Sequence, residues 1–486
     1  MLKQLLARKT DFSQTDDGHH GPALKRTLGS WGLTALGIGA VIGGGIFVIT
    51  GQAAAEHAGP AIILAFVIAA ICCSFTALCY AEFATLIPMS GSSYSYAYAT
   101  LGELVAWFIG WNMVLEYGVS ASAVAVSWTG YFVSLLDHVG IHLPAVLTNA
   151  PLAYTDGHLV TTGALFNLPA VAIVMALTWL CYVGIRESSG ANLVMVIFKV
   201  ALIVLVIAVG WHYVNPALWH PFIPASQGPE KYGWAGIMRA ATLVFFAYIG
   251  FEATSTAAQE AKNPQRDLPI ATLASLAICT ILYIGIAAVI TGLLRFDQLD
   301  TAEPVVTAVR AHPQLFMLRW AVEIGALIGL SSVILVMIIA QPRIFMIMAR
   351  DGLLPPVFAK IHPKYHTPHI NTVITGVGIA ALAAVFPLDV LGDLVSMGTL
   401  NAFVAVCAGV LILRKTRPDL PRTFRVPWAP VTCVLGVLSC LALLYWENWY
   451  QWLLLGIWTV VGMAIYFGYG RRHSHLRQEQ ALSAKS

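Results

Sequence analysis

The sequence predicts an all-α polytopic membrane protein of twelve transmembrane helices, and three observations predict it. The first is composition: 58% of the 486 residues are hydrophobic and only 10% are charged. Soluble domains carry about 25% charged residues. So few charges could not cover the folded surface of a chain this long, which excludes an ordinary soluble enzyme, a disordered protein and a nucleic-acid binder. The second is length: a spanning helix needs about 20 mostly apolar residues, and such runs recur along the chain. The third is the placement of Lys and Arg. With the N-terminus set inside, 21 of the 27 fall in the tail and loop segments of that side, and only Lys231, Arg295, Arg310 and Arg319 fall on the other. The positive-inside rule then puts both termini in the cytoplasm and requires an even number of spans.

Taken in order, residues 1–30 are polar and of mixed charge, and read as a cytoplasmic tail with no cleavable leader. Span 1 (31–55) is apolar but crowded with glycine, and span 2 (60–87) carries Glu82 near its inner end. Span 3 (101–136) is long enough to tilt or to leave the bilayer, and it holds Glu116. The 137–168 loop has no Lys or Arg, as suits an external loop. Span 4 (169–185) and span 5 (191–214) follow, the latter with Lys199 near its middle. Span 6 (235–259) carries Arg239 near its outer end, where it is expected to reach headgroups, and Glu252 further in. Spans 7 to 10 cover 268–293, 320–348, 370–387 and 390–414. Spans 11 and 12 cover 427–446 and 450–469, with Trp446, Trp449 and Trp452 placed for an interfacial belt. Residues 470–486 form a second cytoplasmic tail. The spans group over 31–214, 235–414 and an appended pair over 427–469, and a five-plus-five inverted repeat would place spans 1 and 6 at corresponding positions.

No Walker-type phosphate loop is present, so transport would run on a gradient or passively. The eight cysteines all lie in apolar runs and read as reduced packing residues. The histidines lack metal-ligand spacing, and no cofactor is implied. Glu323 and Asp393, near helix ends, receive no role.

Two spans are expected to be interrupted. In Gly37–Phe47 four glycines fall between positions 39 and 45. Each weakens a helix interior by about 1 kcal/mol relative to Ala, and the run Gly43-Gly44-Gly45 allows close backbone approach. Unwound backbone at membrane depth must line a cavity or be buried in protein. It exposes N–H groups at the start of one half-helix and carbonyls at the end of the other, which suit an anion and a cation. A zwitterion such as an amino acid satisfies both. The alternative is that the glycines only let helices pack closely. Within span 6 the stretch Leu243–Thr256 has Gly250 near Glu252, and the span occupies the corresponding place five helices later. Paired interrupted helices point to a midplane transport site.

At these residues the chain resembles the amino acid–polyamine–organocation superfamily, in its bacterial cationic amino acid transporter branch. The resemblance is carried by GIGAVIGGGIFVITG at 37–51, PMSGSSYSYAY at 88–98, GWNMVLEYGVSASAVAVSWTGY at 110–131, GFEATSTAAQEAKNPQRDLP at 250–269 and ARDGLLP at 349–355. It implies a LeuT-like 5+5 inverted repeat plus two helices, with helices 1 and 6 unwound. It implies that a substrate carboxylate meets the N–H groups of Gly43, Gly44 and Gly45. The substrate ammonium would meet carbonyls of Val41, Phe246, Ala247 and Ile249.

Lys199 at membrane depth costs about 2.5–3.5 kcal/mol on insertion scales and reads as functional, the alternative being that it snorkels to an interface or only staples helices together. The resemblance implies that its ammonium stands where related folds hold sodium, with Ser331 and Ser332 near, and that transport is coupled to protons. Glu116 is the second proton-coupling candidate, with a structural hydrogen-bonded role as its alternative. The function expected is sodium-independent proton symport of L-amino acids, neutral ones first, by alternating access across the bacterial inner membrane. The partners expected are the amino acid, the proton and the lipid bilayer, with no nucleic acid and no obligate protein. An amino acid or amine exchanger is the main alternative, and a non-transporting sensor the lesser one.

Overall fold

The computed structural model describes residues 28–87, 92–155, 158–183, 189–258, 261–365 and 367–478. It is helical in every one of the twelve apolar runs. The principal helices are α1 (Ser30–Val41), α2 (Thr50–Ala53), α3 (Ile62–Leu86), α4 (Ser92–Thr100), α5 (Glu103–His138), α6 (Leu168–Val183), α7 (Ser189–Gly210), α8 (Gly233–Phe245) and α9 (Ala253–Thr256). They continue with α10 (Pro264–Leu293), α11 (Pro304–Arg310), α12 (Phe316–Arg350), α13 (His369–Val385), α14 (Leu388–Thr416), α15 (Ala429–Tyr445), α16 (Trp449–Ile465) and α17 (Arg471–His473). Among the described residues eight helical stretches are long and apolar enough to cross a membrane. Four more apolar helices, α1, α6, α13 and α15, have 10–17 residues. The protein is a multi-pass membrane protein.

Local sequence explains the element ends. Pro264 opens α10, where its missing N–H costs nothing. Gly59, at φ +60°, ends the second half of the first span and lets Pro60 lead into α3. Inside α12, Pro342 cannot donate to the preceding turn, and Asn371 Nδ2 reaches across from α13 to its carbonyl at 3.2 Å. The loop before α6 closes as a two-stranded hairpin, β1 (Leu152–Thr155) with β2 (His158–Thr161).

The helices pack in two sets. One gathers α1, α3 and α8 with α10; the other sets α5 against α12, α13 and α14. The long α5 is apolar-to-small over most of its length, and Gly118 and Gly130 let Gln341 and Ala302 approach its backbone. All eight cysteines are buried.

The charged residues correct the sequence reading in three places. Arg239 does not reach the headgroups. It is 3% exposed and donates to Asp393 (2.6 Å) on α14 and to Glu447 (3.1 Å) after α15. Asp393 therefore has a role, as one of the two buried acids that hold Arg239. So has Glu323, which accepts from His138 (2.6 Å), Arg319 (3.2 Å) and Ser134 (3.2 Å). Glu82 is held by Arg414 (3.0 Å) and by the Val426 N–H (2.8 Å), which fastens the loop after α14 to α3.

Candidate functional site

The first span is broken where its glycines cluster. α1 ends at Val41, Ile42 turns extended (φ −74°, ψ 98°), and helical geometry resumes at Gly44. The turns after the break are wide, over Gly45–Ile49 and Ala54–Ala58 on either side of α2. A helix start leaves its first N–H groups without partners inside the helix, and here they belong to Gly44, Gly45 and their neighbours. The second break follows α8. Phe246–Tyr248 tightens into a 3₁₀ turn, Ile249 is extended (ψ 131°), and Gly250 takes φ +118° before α9.

The two breaks touch. A Cβ added at Gly45 would collide with Ala247, and one at Gly250 would press on the Ala40 backbone. Glycine is required at both for that crossing, and at Gly250 also for its backbone angle. Around them lies a cavity of about 10 Å³ lined by Val41, Gly43, Gly44, Gly45, Phe246 and Ile249 from the broken spans. Six of the seven sequence-named substrate residues are thus gathered in one place. Ala247 stands behind them against Gly45. The remaining lining is Ala40 together with Ser120 and Val124 of α5 and Val333 and Met337 of α12. Sequence reasoning missed these four because they sit on unbroken helices. No acidic side chain is in the lining.

One further residue ties the breaks together. Tyr283 on α10 directs its hydroxyl to the Val41 carbonyl (3.0 Å) and the Ala247 carbonyl (2.7 Å). Two of the four carbonyls named for the ammonium are therefore already engaged, and the Phe246 carbonyl accepts the Ile249 N–H at 3.2 Å. A tyrosine in an apolar span gives no sequence signal of this kind.

Lys199 is fully buried, and its Nζ donates to the carbonyls of Gly39 (3.0 Å) and Ile42 (3.3 Å) at the end of α1. Its stem crosses Gly329 of α12, where an added Cβ would touch the Lys199 Cγ at 3.5 Å. Ser331 and Ser332 do not serve it: their hydroxyls bond back to Leu327 and Gly329 of their own helix. Glu116 is 2% exposed on α5. It does not line the cavity, and its nearest acidic neighbour is Glu252.

Beyond Ser127, whose hydroxyl abuts Gly44, opens a larger cavity of about 580 Å³. Its walls carry Glu56, Asp137, Glu303 and Asp389 together with Arg310 and Arg319. Burial raises the Glu303 carboxyl above its ordinary value, and Arg310, 3.8 Å away, partly opposes this.

This geometry agrees with the similarity to known proteins. The amino acid permease family model matches residues 28–466. The chain belongs to the amino acid permease family. It is 47% identical to the branched-chain amino acid permease BcaP of Bacillus subtilis, over 94% of this chain and 95% of that one. It is 44% identical to the methylthioribose transporter of the same organism, over 97% and 99%. The vacuolar cationic amino acid transporter 4 of Arabidopsis thaliana is 38% identical over 83% of this chain and 65% of its own. These relatives are permeases and transporters, not enzymes. The family membership and the bacterial branch implied by the five matching stretches are as expected.

Proposed function

We propose that this permease carries neutral L-amino acids with apolar side chains by sodium-independent proton symport, using alternating access. The observation that carries the reading is Lys199 Nζ on the Gly39 and Ile42 carbonyls, whose chain neighbours Ala40, Val41 and Gly43 line the cavity formed by both breaks. Gain or loss of that ammonium changes what holds α1 against α7, so a proton can be tied to the position of the first break. The substrate carboxylate meets the N–H groups of Gly43, Gly44 and Gly45. Its ammonium meets the carbonyls of Val41, Phe246, Ala247 and Ile249, in exchange with the Tyr283 hydroxyl.

Specificity follows from the side chains that complete the cavity. Val124, Val333, Met337 and Phe246 are apolar, and a cationic substrate would lose water there without gaining a counter-ion. The relative named as a branched-chain permease is in keeping with this. The cavity of about 10 Å³ has room for roughly one water, so entry of an amino acid requires Phe246 and Met337 to swing aside.

The fold proposed is the 5+5 inverted repeat, 31–214 and 235–414, with the 427–469 pair appended. Both termini face the cytoplasm and the wide cavity faces outward. The test is uptake into liposomes holding purified protein. An inward proton gradient in sodium-free buffer should drive accumulation of leucine, isoleucine and valine, and excess lysine should not compete. Uptake that needs sodium and ignores the proton gradient would sink the proposal. Counterflow without any response to the gradient would favour an exchanger.

A further inference from the structure

Glu116 and Glu252 are 2% and 1% exposed, and their carboxyls lie within hydrogen-bonding distance of each other. Neither is in an ion pair with a Lys, Arg or His among the described residues. Oε1 of each lacks a hydrogen-bond partner there. Two carboxylates this close and this dry cannot both carry charge, whereas one proton between them converts the repulsion into a charge-assisted hydrogen bond.

The surroundings assign the two ends of that bond. Glu252 Oε2 already accepts the Gly250 N–H at 3.0 Å, which favours a carboxylate at Glu252. Glu116 is then the acid that donates. The titratable groups facing the pair are neutral: Cys73 and Tyr80 from α3, and Tyr117 from α5 itself. α14 presents the Phe403 ring to Tyr80 and Phe251, not a charge. The place of the pair matters as much as its chemistry. Glu116 belongs to the α5–α12–α13–α14 set. Glu252 belongs to the second break, between α8 and α9.

We propose that Glu116 and Glu252 form a proton site in which one shared proton fastens the second break to α5, and whose loss forces the two helix sets apart at that point. The assignment deepens the proton-coupled reading above and rests on it for its part in the transport cycle. It gives Glu252 a function and sets a second protonatable site across the seam from Lys199.

The experiment is infrared difference spectroscopy on the purified full chain at neutral pH, with glutamate carboxyls labelled with heavy carbon. The wild type should show the band of a protonated buried glutamate. That band should vanish in Glu116→Gln, which removes the donating acid, and should shift in Glu252→Gln, where buried Glu116 keeps its proton but loses the charge-assisted bond to a carboxylate. A band that survives Glu116→Gln, or one left unshifted by Glu252→Gln, overturns the sharing. The wild-type spectrum tests the idea even if a variant fails to fold, since absence of any label-shifted protonated-glutamate band overturns it outright. Glu252→Asp, which keeps the carboxyl, should return the band towards its wild-type position and keep a pH-dependent uptake profile. Wild-type uptake that ignores the proton gradient would count against coupling while leaving the band in place, so the two failures are distinguishable.

Discussion

At the residue scale the account turns on a few side chains set against broken backbone. Lys199→Ala removes the ammonium from the Gly39 and Ile42 carbonyls. It should abolish uptake driven by a proton gradient, measured in liposomes, because no proton is then tied to the end of α1. Tyr283→Phe deletes one hydroxyl shared by Val41 and Ala247. A net hydrogen bond is worth about 1 kcal/mol, so apparent substrate affinity in a binding titration should change by several-fold while the protein stays folded. Gly45→Ala should be far worse, since the methyl meets the Ala247 backbone and the breaks can no longer cross. Thermal unfolding and uptake should both report it. The triple glycine and Lys199 were legible in the sequence because glycine and charge are rare in apolar runs. Tyr283, Val124, Val333 and Met337 were not. They are ordinary residues in unbroken helices, and only the rotation of α5, α10 and α12 in the packed protein turns them to the site.

At the scale of elements, the apolar runs were legible from length alone, and the helices described in them, eight of spanning length and four shorter, end close to the expected boundaries. The break in the first span was legible from its glycines. The second was less so, since Gly250 is alone and its positive φ is a consequence of crossing α1. Ion pairs between elements were the least legible. Arg239 meets partners more than 150 residues away along the chain, a distance that no local pattern encodes. Replacing it with Met would leave Asp393 and Glu447 buried without their cation. Breaking such a pair costs about 3–5 kcal/mol, so Arg239→Met should lower the melting temperature markedly, and a double change with Asp393→Asn should recover part of the loss. A second clamp holds the far end of the chain. Glu103 at the start of α5 accepts from Tyr466 (2.8 Å), from Arg477 (2.9 Å) and from Ser474. Glu103→Ala should increase hydrogen exchange over residues 466–478 before it affects the rest of the protein.

At the scale of the whole molecule, the site lies where the two helix sets meet. The broken spans supply Gly43–Gly45 and Phe246–Ile249, and α5 and α12 supply Ser120, Val124, Val333 and Met337. In the proposed function a site divided in this way opens and closes as one set moves against the other, which is the physical content of alternating access. Lys199 bridges α7 to α1 at that seam, and the carboxyl pair bridges α5 to the second break. The scarcity of charge that first placed the chain in a membrane thus leaves few groups able to couple a gradient to that motion. The most direct measurement of the central claim is accumulation of leucine by wild-type and Lys199→Ala proteoliposomes in sodium-free buffer under an imposed inward proton gradient. The account predicts concentrative uptake by the wild type, collapse when the gradient is dissipated, and none by the variant; wild-type accumulation that requires sodium, or a variant that still accumulates leucine on the proton gradient, would contradict it.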